Sequence, residues 1–426
     1  MNRFVKFAVV LFLIIPPSIV YSATKTFIKE YTYQASEDDS RNSCRAISLR
    51  EVKRLLLEEL GTYLESVTEV QNFQLTKDQI TALTAGIVQT EILEEKWDGK
   101  AYWLKSKIHA DSNEVIKSID NLRRDRQKMK ELEEVRQQTE ELLRENERLR
   151  KELSESKDKD RKEKVAVYNQ QIKELSAAEW WEKGYTSARS GKWLDAIDSY
   201  SKAIELNPQS VRGYCYRGSA YFGLGNYNQA MKDYDKAIEL DPKYTMTYIF
   251  RGLTYGQLGN YSQAIEDHNK AILLDPKFAN AYSGRGLVYV YLGDYDQAIR
   301  DYDKAIELNP KDAASYSGRG FVYFKIKNFS QALRDYDKAI ELNPKAADAY
   351  LHRGTGYHGI GNYTQAIKDY NKAIDLDPKS GIAYFNRALS YARLMNESQL
   401  LQDMKVAARL DYKKAQDFLK ESSISW

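Results

Sequence analysis

Pro208, Pro242, Pro276, Pro310, Pro344 and Pro378 stand 34 residues apart without an insertion, each preceded by Asn or Asp and followed by a near-copy of the same segment. Proline lacks an amide hydrogen and its ring clashes with the preceding helical turn, so each of the six stops a helix. Regular helix stops at this spacing describe a solenoid. Units of this length cannot bury an apolar face alone and form a core only by stacking on their neighbours. The pattern points to binding rather than to chemistry.

With Val211 as slot 1 of a unit, slot 8 is Gly184, Gly218, Gly252, Gly286, Gly320 and Gly354, where any side chain would separate two closely crossing helices. Slot 20 is Ala196, Ala230, Ala264, Ala298, Ala332 and Ala366, and slot 27 is Ala203, Ala237, Ala271, Ala305, Ala339 and Ala373. Large rings fill the space between these small residues: Tyr221, Tyr255, Tyr289, Tyr323 and Tyr357 at slot 11, and Tyr200, Tyr234, Tyr302, Tyr336 and Tyr370 at slot 24. His268 takes slot 24 of its unit and reads as a core substitute for Tyr, because no His, Cys or carboxylate stands at ligand spacing from it. Gly-Asn or Gly-Asp pairs at 225/226, 259/260, 293/294 and 361/362 end the first helix of a unit through a left-handed residue. Arg217, Arg251, Arg285, Arg319, Arg353 and Arg387 recur at slot 7, and Asp233, Asp267, Asp301, Asp335, Asp369 and Asp403 at slot 23. They are expected to pair, within or between units.

This order of an early aromatic, Gly, Tyr, Ala, aromatic, Ala and Pro resembles the tetratricopeptide repeat. The resemblance covers Ala177 to Leu410 and implies a right-handed α-solenoid of six full repeats (177–380), a degenerate seventh and a capping helix, in an array spanning 166–421. The first unit departs from the pattern with Ser187 at slot 11, and the seventh with Ala388, Leu400 and Tyr412 for Gly, Ala and Pro. The resemblance further implies that first-helix slots 2, 5, 9 and 12 line a concave groove for a peptide or protein partner. The candidate groove residues are Trp181, Tyr185, Phe222, Ile249, Leu253, Leu287, Val290, Phe321, Phe324, Leu351, His358 and Phe385. The Lys and Asn of carboxylate-clamp versions of the family are missing at slots 5 and 9, which argues against a cytosolic chaperone adaptor.

The remainder of the chain gives the array an address. Arg3 and Lys6, the apolar run Phe7 to Ile15, Pro16-Pro17 and the small Ser22 and Ala23 have the layout of an export signal over residues 1–23. Cleavage after Ser22 or Ala23, with no Cys there for a lipid anchor, places the mature protein in the periplasm or outside the cell, and leaves no spanning helix. Retention as an uncleaved anchor is the alternative. Residues 24–111 read as a small α/β domain: a strand over Thr26–Tyr33, a helix with Ala46, Leu49, Leu56 and Leu60 on one face closed by Gly61, and a hairpin over Ile92–His109 turning at Asp98-Gly99. The element order and the segment GIVQTEILEEKWDGKAYWLKSKIHA resemble the N-terminal domain of the flagellar assembly protein T family. Residues 112–165 form a charged helix and linker, with 15 Lys or Arg and 13 Asp or Glu in 123–165. Leu132, Thr139, Asn146 and Leu153, with Val135, Leu142 and Leu149 between them, make a short coiled-coil seam over 132–153 that could pair two copies.

Composition closes off other classes. A formal net charge of only +3 over 426 residues, with both signs interleaved, argues against nucleic acid as a partner. Cys44 and Cys215 fall in different regions and suggest free thiols rather than a disulfide framework. No phosphate loop, HExxH, CxxC or Gly-x-Ser-x-Gly motif occurs, so no catalytic residue, cofactor or metal is expected. The reading that best accommodates these features is an exported interaction scaffold. The alternative is a structural component of an envelope machine, in which the N-terminal domain assembles and the repeats are spacers.

Overall fold

Two patterns of apolar spacing build this protein, a period of two in a short N-terminal sheet and a helical period everywhere else. The computed structural model describes residues 24–66, 88, 90–111, 115, 126–155 and 158–426. The expected export signal lies outside them. The chain divides into two compact units, one formed by residues up to 122 together with 148–165, the other by 123–147 together with 166–426.

In the first unit, β1 (Thr24–Gln34), α1 (Arg41–Ser66), β2 (Thr90–Trp97) and β3 (Ala101–Asp111) form an antiparallel sheet in the order β1-β3-β2 with α1 packed on one face. Register pairs Phe27 with Ile108, Tyr31 with Leu104 and Tyr33 with Tyr102, so alternate residues of both strands point toward α1. Tyr102, Leu104, Ser106 and Ile108 are all buried there, as their alternation predicts, against Leu56, Leu60 and Leu64 of the helix. The opposite face carries cross-strand ion pairs, Lys107 with Glu91 at 3.2 Å and Lys105 with Glu30 at 4.0 Å, and is a solvated surface.

Two local expectations are corrected. Gly61 does not close α1: the helix continues to Ser66. Burial of Leu64 and the contact of Tyr63 with Phe27, ring centroids 5.6 Å apart, outweigh the roughly 1 kcal/mol that Gly costs inside a helix. The hairpin turn is Gly99-Lys100 rather than Asp98-Gly99. Asp98 pairs with Ala101, its amide donating to the Ala101 carbonyl, and its carboxylate accepts from the amides of Lys100 and Ala101 at 2.8 and 2.7 Å. Gly99, at φ 91°, supplies the positive φ at the first turn position.

α2 (Arg126–Glu155) and α3 (Asp158–Arg189) follow. Within the first unit, Arg150 stacks on the Tyr33 ring, donates to the Gln34 carbonyl and lies 3.7 Å from Asp39, while Arg161 reaches Asp38 at 3.0 Å. Of the polar residues 154–164 expected as a linker or continuing exposed helix, 158–164 form the first part of α3, which runs without a break to Arg189 in the first repeat. Of the expected coiled-coil seam, Leu142 is only partly buried. Thr139, Asn146, Leu149 and Leu153 are buried within the single chain, and Asn146 spends its amide on the Leu142 carbonyl at 2.8 Å. The Leu132 and Val135 side chains lie outside the described ones.

The repeats follow as helix pairs after α3: α4 (Trp193–Leu206), α5 (Val211–Gly223), α6 (Tyr227–Leu240), α7 (Thr245–Gln257), α8 (Tyr261–Leu274), α9 (Ala279–Leu292) and α10 (Tyr295–Leu308). They continue with α11 (Ala313–Lys325), α12 (Phe329–Leu342), α13 (Ala347–Gly359), α14 (Tyr363–Leu376), α15 (Gly381–Arg393), α16 (Glu397–Arg409) and the capping α17 (Lys413–Glu421). Gly225, Gly259, Gly293 and Gly361 take φ between 76° and 80° between the two helices of a unit, as their sequence pattern predicts, and Lys327 and Met395 adopt the same left-handed state without a glycine. The Asn or Asp that follows caps the next helix in three of these four units: the Asn226 side chain accepts from the Gln229 amide, Asp294 from that of Gln297 and Asn362 from that of Gln365, while Asn260 makes no such bond. Every slot-20 and slot-27 alanine is buried, and at slot 8 a Cβ on Gly218 would fall 2.6 Å from the Tyr234 ring. Small residues therefore set the helix spacing.

Candidate functional site

Slots 2, 5, 9 and 12 follow one face of each first helix, and the structure divides the residues expected there into two groups. Trp181, Tyr185, Ile249 and Leu351 are at most 6% exposed. They belong to the core between helices and are not available to a partner. Trp181 stacks on Tyr185 and meets the edge of Tyr216, with centroids 5.4 and 5.3 Å apart, so a ring from the next repeat covers it. Leu253 is half-buried against the core containing Ile249.

The slot-12 residues pack mainly on their own unit. Phe222, Phe324 and His358 lean on Tyr227, Phe329 and Tyr363 at 5.5, 5.7 and 5.1 Å, filling the elbow between first and second helix. His358 Nδ1 is also hydrogen-bonded to Ser390 at 2.8 Å, and burial lowers its pKa. Phe385 packs on Tyr412 of the capping segment at 5.0 Å.

Leu287, Val290 and Phe321 alone among the candidates converge, in a cleft of about 500 Å³ across repeats 4 to 6. Tyr291, more than half exposed, widens its apolar wall, and Ser317, Asn343 and Asp348 supply polar atoms. Tyr302 and Gly318 also line it. The cleft traces to slot 6. In repeats 2, 3 and 6 that slot holds a ring packed against the slot-24 ring of the preceding repeat: Tyr216 on Tyr200 at 6.2 Å, Phe250 on Tyr234 at 6.3 Å, His352 on Tyr336 at 5.9 Å. Repeat 5 has Gly318, against which Tyr302 lies so closely that a Cβ would come within 2.5 Å of the ring. No slot-6 ring covers Tyr302. Gly318 was the sequence signal for this opening, and reasoning from slots 2, 5, 9 and 12 passed over it.

A second cleft, of about 400 Å³, lies at the first repeat and is lined by Ala177, Ala178, Trp181, Asn207, Ser210 and Arg212. Each of these stands four periods before a residue of the repeat-5 cleft, namely Ala313, Ala314, Ser317, Asn343, Ala346 and Asp348. The two are the same surface on different repeats. At the first repeat, Thr139, Glu141, Leu142 and Glu145 of α2 and Gln171 and Glu174 of α3 complete the wall.

The chemistry of the remaining groups is that of packing. His268 is fully buried in its slot-24 position, neither ring nitrogen has a hydrogen-bond partner, and burial lowers its pKa to about 4. Burial likewise pushes the Cys44 thiol up to about 11, away from the reactive thiolate. Among the described residues no cluster of His, Cys, Asp or Glu could hold a metal ion, and no helix is long and apolar enough to cross a membrane.

The family matches fall on the repeats. Residues 184–225, 252–293, 286–327 and 356–394 match the family described as TPR repeat, and residues 211–244 and 313–346 the family described as tetratricopeptide repeat. A tetratricopeptide repeat protein from Parabacteroides merdae is 24% identical, with 57% of this chain and 98% of that chain covered and a TM-score of 0.46. A thermophilic TPR protein of Thermus thermophilus is 23% identical over 43% of this chain and 99% of that one, with a TM-score of 0.41. YrrB, described as a TPR protein with an unusual peptide-binding site, is 26% identical over 44% and 97%, with a TM-score of 0.34. No curated protein matches the chain. None of the family matches touches residues 24–111, so the resemblance drawn there from element order finds no support. Repeated motif, helix pairing and family match together make residues 184–394 a tetratricopeptide repeat array, a fold that is typically a non-enzymatic scaffold for protein–protein interaction.

Proposed function

We propose that this protein is an exported scaffold that holds a segment of a partner protein in the cleft across repeats 4 to 6. The observation that carries the reading is the convergence of Leu287, Val290 and Phe321, with exposed Tyr291 beside them, in a cleft edged by Asp348 and Asn343. An apolar floor with a few polar atoms at the rim is the anatomy of a site that buries anchor side chains and orients a backbone. The export half of the reading rests on Arg3, Lys6 and the apolar run to Ile15 ahead of Ser22 and Ala23. N-terminal sequencing of the mature protein tests that half, with a start at Thr24 or Ala23 expected and a start at Met1 against it.

Affinity capture with the full chain tests the binding half. Partners retained by the wild type and lost by a Leu287→Asp, Phe321→Ala variant, with unchanged circular dichroism, support the cleft. Retention by both proteins removes it from the mechanism.

A further inference from the structure

β1 lies at an edge of its sheet and is paired on one side only. The Ala35 amide donates to the Lys100 carbonyl just beyond the end of β1, and the register between β1 and β3 is unbroken. Odd-numbered residues of β1 therefore bond to β3, and the amides and carbonyls of Thr26, Ile28, Glu30 and Thr32 face outward. Among the described residues this main-chain row has one partner, Arg150 on the Gln34 carbonyl at its end. Sheet edges that stay unpaired are blunted by shortness, charge or a bulge. β2, at the other edge, has all three: eight residues, a register shift between Ile92 and Glu94, and the charges of Glu91, Glu94, Glu95 and Lys96. β1 has eleven residues, no shift, and Glu30 as the one charge on its solvated face, beside Ile28 at 49% exposure.

Beside this open edge, between β1 and α1, runs a groove of about 540 Å³ with Lys25, Phe27 and Lys29 on the strand side and Leu55, Glu59 and Tyr63 on the helix side. Lys29 pairs with Glu59 at 2.9 Å, and Glu58 at the rim with Arg54 at 2.7 Å. The Lys25 ammonium instead lies over the rings of Phe27 and Tyr63, at 5.1 and 4.2 Å, with no carboxylate beside it among the described residues. We propose that β1 accepts an extended segment of a separate protein as a fourth strand, with a carboxylate side chain facing Lys25 and an apolar one facing Phe27, Leu55 and Tyr63. The outward amides and carbonyls supply the affinity and the groove the selectivity. Side chains of a strand alternate, so the two recognised residues stand two apart in the guest. A second copy of β1, paired antiparallel across a two-fold axis, would turn Lys25, Phe27, Lys29, Tyr31 and Tyr33 to the groove side, with no carboxylate among them. Charge therefore favours a different protein. This site is separate from the repeat cleft and stands whatever that cleft binds.

Two fluorescein-labelled peptides test this on the full chain by anisotropy: TVTDTVT, which sets two valines and an aspartate on one face, and TVTKTVT, which reverses the charge. The acidic peptide is expected to bind about tenfold more tightly than the basic one, and Lys25→Glu, a surface change, to invert that order. Ile28→Pro removes an outward amide and no bond to β3, a place where an edge strand tolerates proline, and is expected to abolish binding with unchanged circular dichroism. A readout on the wild type needs no variant to fold: hydrogen exchange over residues 24–34, followed by mass spectrometry, is expected to slow when the acidic peptide is added. Absence of binding at millimolar peptide, equal affinity for both peptides, or unchanged exchange over 24–34 overturns the proposal. A dimer mass in light scattering that Ile28→Pro abolishes would assign the edge to a second copy and overturn it as well.

Discussion

Arg285 grips Asp301 of its own repeat with two hydrogen bonds, Nε to Oδ2 at 2.8 Å and Nη2 to Oδ1 at 2.6 Å, while its Nη1 donates to Asn269 of the preceding repeat at 2.5 Å. Five other arginines repeat the geometry. Arg217, Arg251, Arg319, Arg353 and Arg387 each bind Asp233, Asp267, Asp335, Asp369 and Asp403 in the same forked manner, and each reaches back to Ser201, Asp235, Asp303, Asp337 or Asn371. The pairing expected from slots 7 and 23 is thus both within and between repeats. The aspartates are almost fully buried, and the paired carboxylate raises the Arg319 pKa. A planar guanidinium is the side chain that can serve both acceptors at once.

Arg285→Ala strands a buried carboxylate. Loss of its charge-assisted bonds is expected to cost about 2 kcal/mol, below the 3–5 kcal/mol of a fully buried pair because the arginine retains some exposure. Asn269→Ala removes only the bond between repeats and is expected to cost about 0.5–1 kcal/mol. Urea denaturation followed by circular dichroism orders the two, and equal midpoints for wild type and Arg285→Ala would show that the fork adds no stability.

His268 predicts an acid limb. Its folded pKa of about 4 lies below the ordinary 6.5, so the native state holds it neutral while the unfolded chain takes up a proton. Its contribution is intact above pH 6.5 and is lost as pH falls from there toward 4, a penalty of about 3 kcal/mol at the low end. His268→Tyr restores the ring found at slot 24 elsewhere. The facing Gly284 leaves space for it, as Gly318 does for Tyr302. The difference in stability between pH 7.5 and pH 4.5 should shrink in the variant; an identical pH profile would place the acid limb elsewhere.

Gly218→Ala tests the helix spacing. Its Cβ would fall 2.6 Å from the Tyr234 ring and 3.1 Å from the Ala230 carbonyl oxygen, and the ring is itself buried. The expected loss is about 1–3 kcal/mol, read from the urea midpoint. A neutral result would mean that the second helix moves aside freely.

The buried α2 seam predicts a monomer. With Thr139, Asn146, Leu149 and Leu153 covered inside one chain, light scattering of the protein at tens of micromolar should give the mass of a single copy. A dimer mass lost on Leu149→Asp would show that the seam opens and pairs between chains.

Cys44 and Cys215 are both fully buried, and the Cys44 thiol is held near pKa 11 by burial. Neither should react appreciably with a thiol reagent at pH 8 until denaturant is added. Stoichiometric labelling of the native protein would indicate frequent opening around α1 or repeat 2.

Sequence by itself determined the period, the packing slots, the Arg–Asp pairs, the capping residues and the buried face of β3. A strict repeat places each slot in the same surroundings six times, and a strand alternates its faces whatever lies beyond it. Only the tertiary structure decided which groove positions are open. Trp181 and Leu287 follow the same slot rule, yet a ring from the next repeat seals the first and nothing covers the second. Gly61 and Asp98-Gly99 show the same limit on a smaller scale, since Leu64 and the carboxylate bonds of Asp98 outweighed their local preferences. Periodicity states the direction in which a side chain points; what borders the space before it comes from chain distant in sequence, as α2 does at the first repeat.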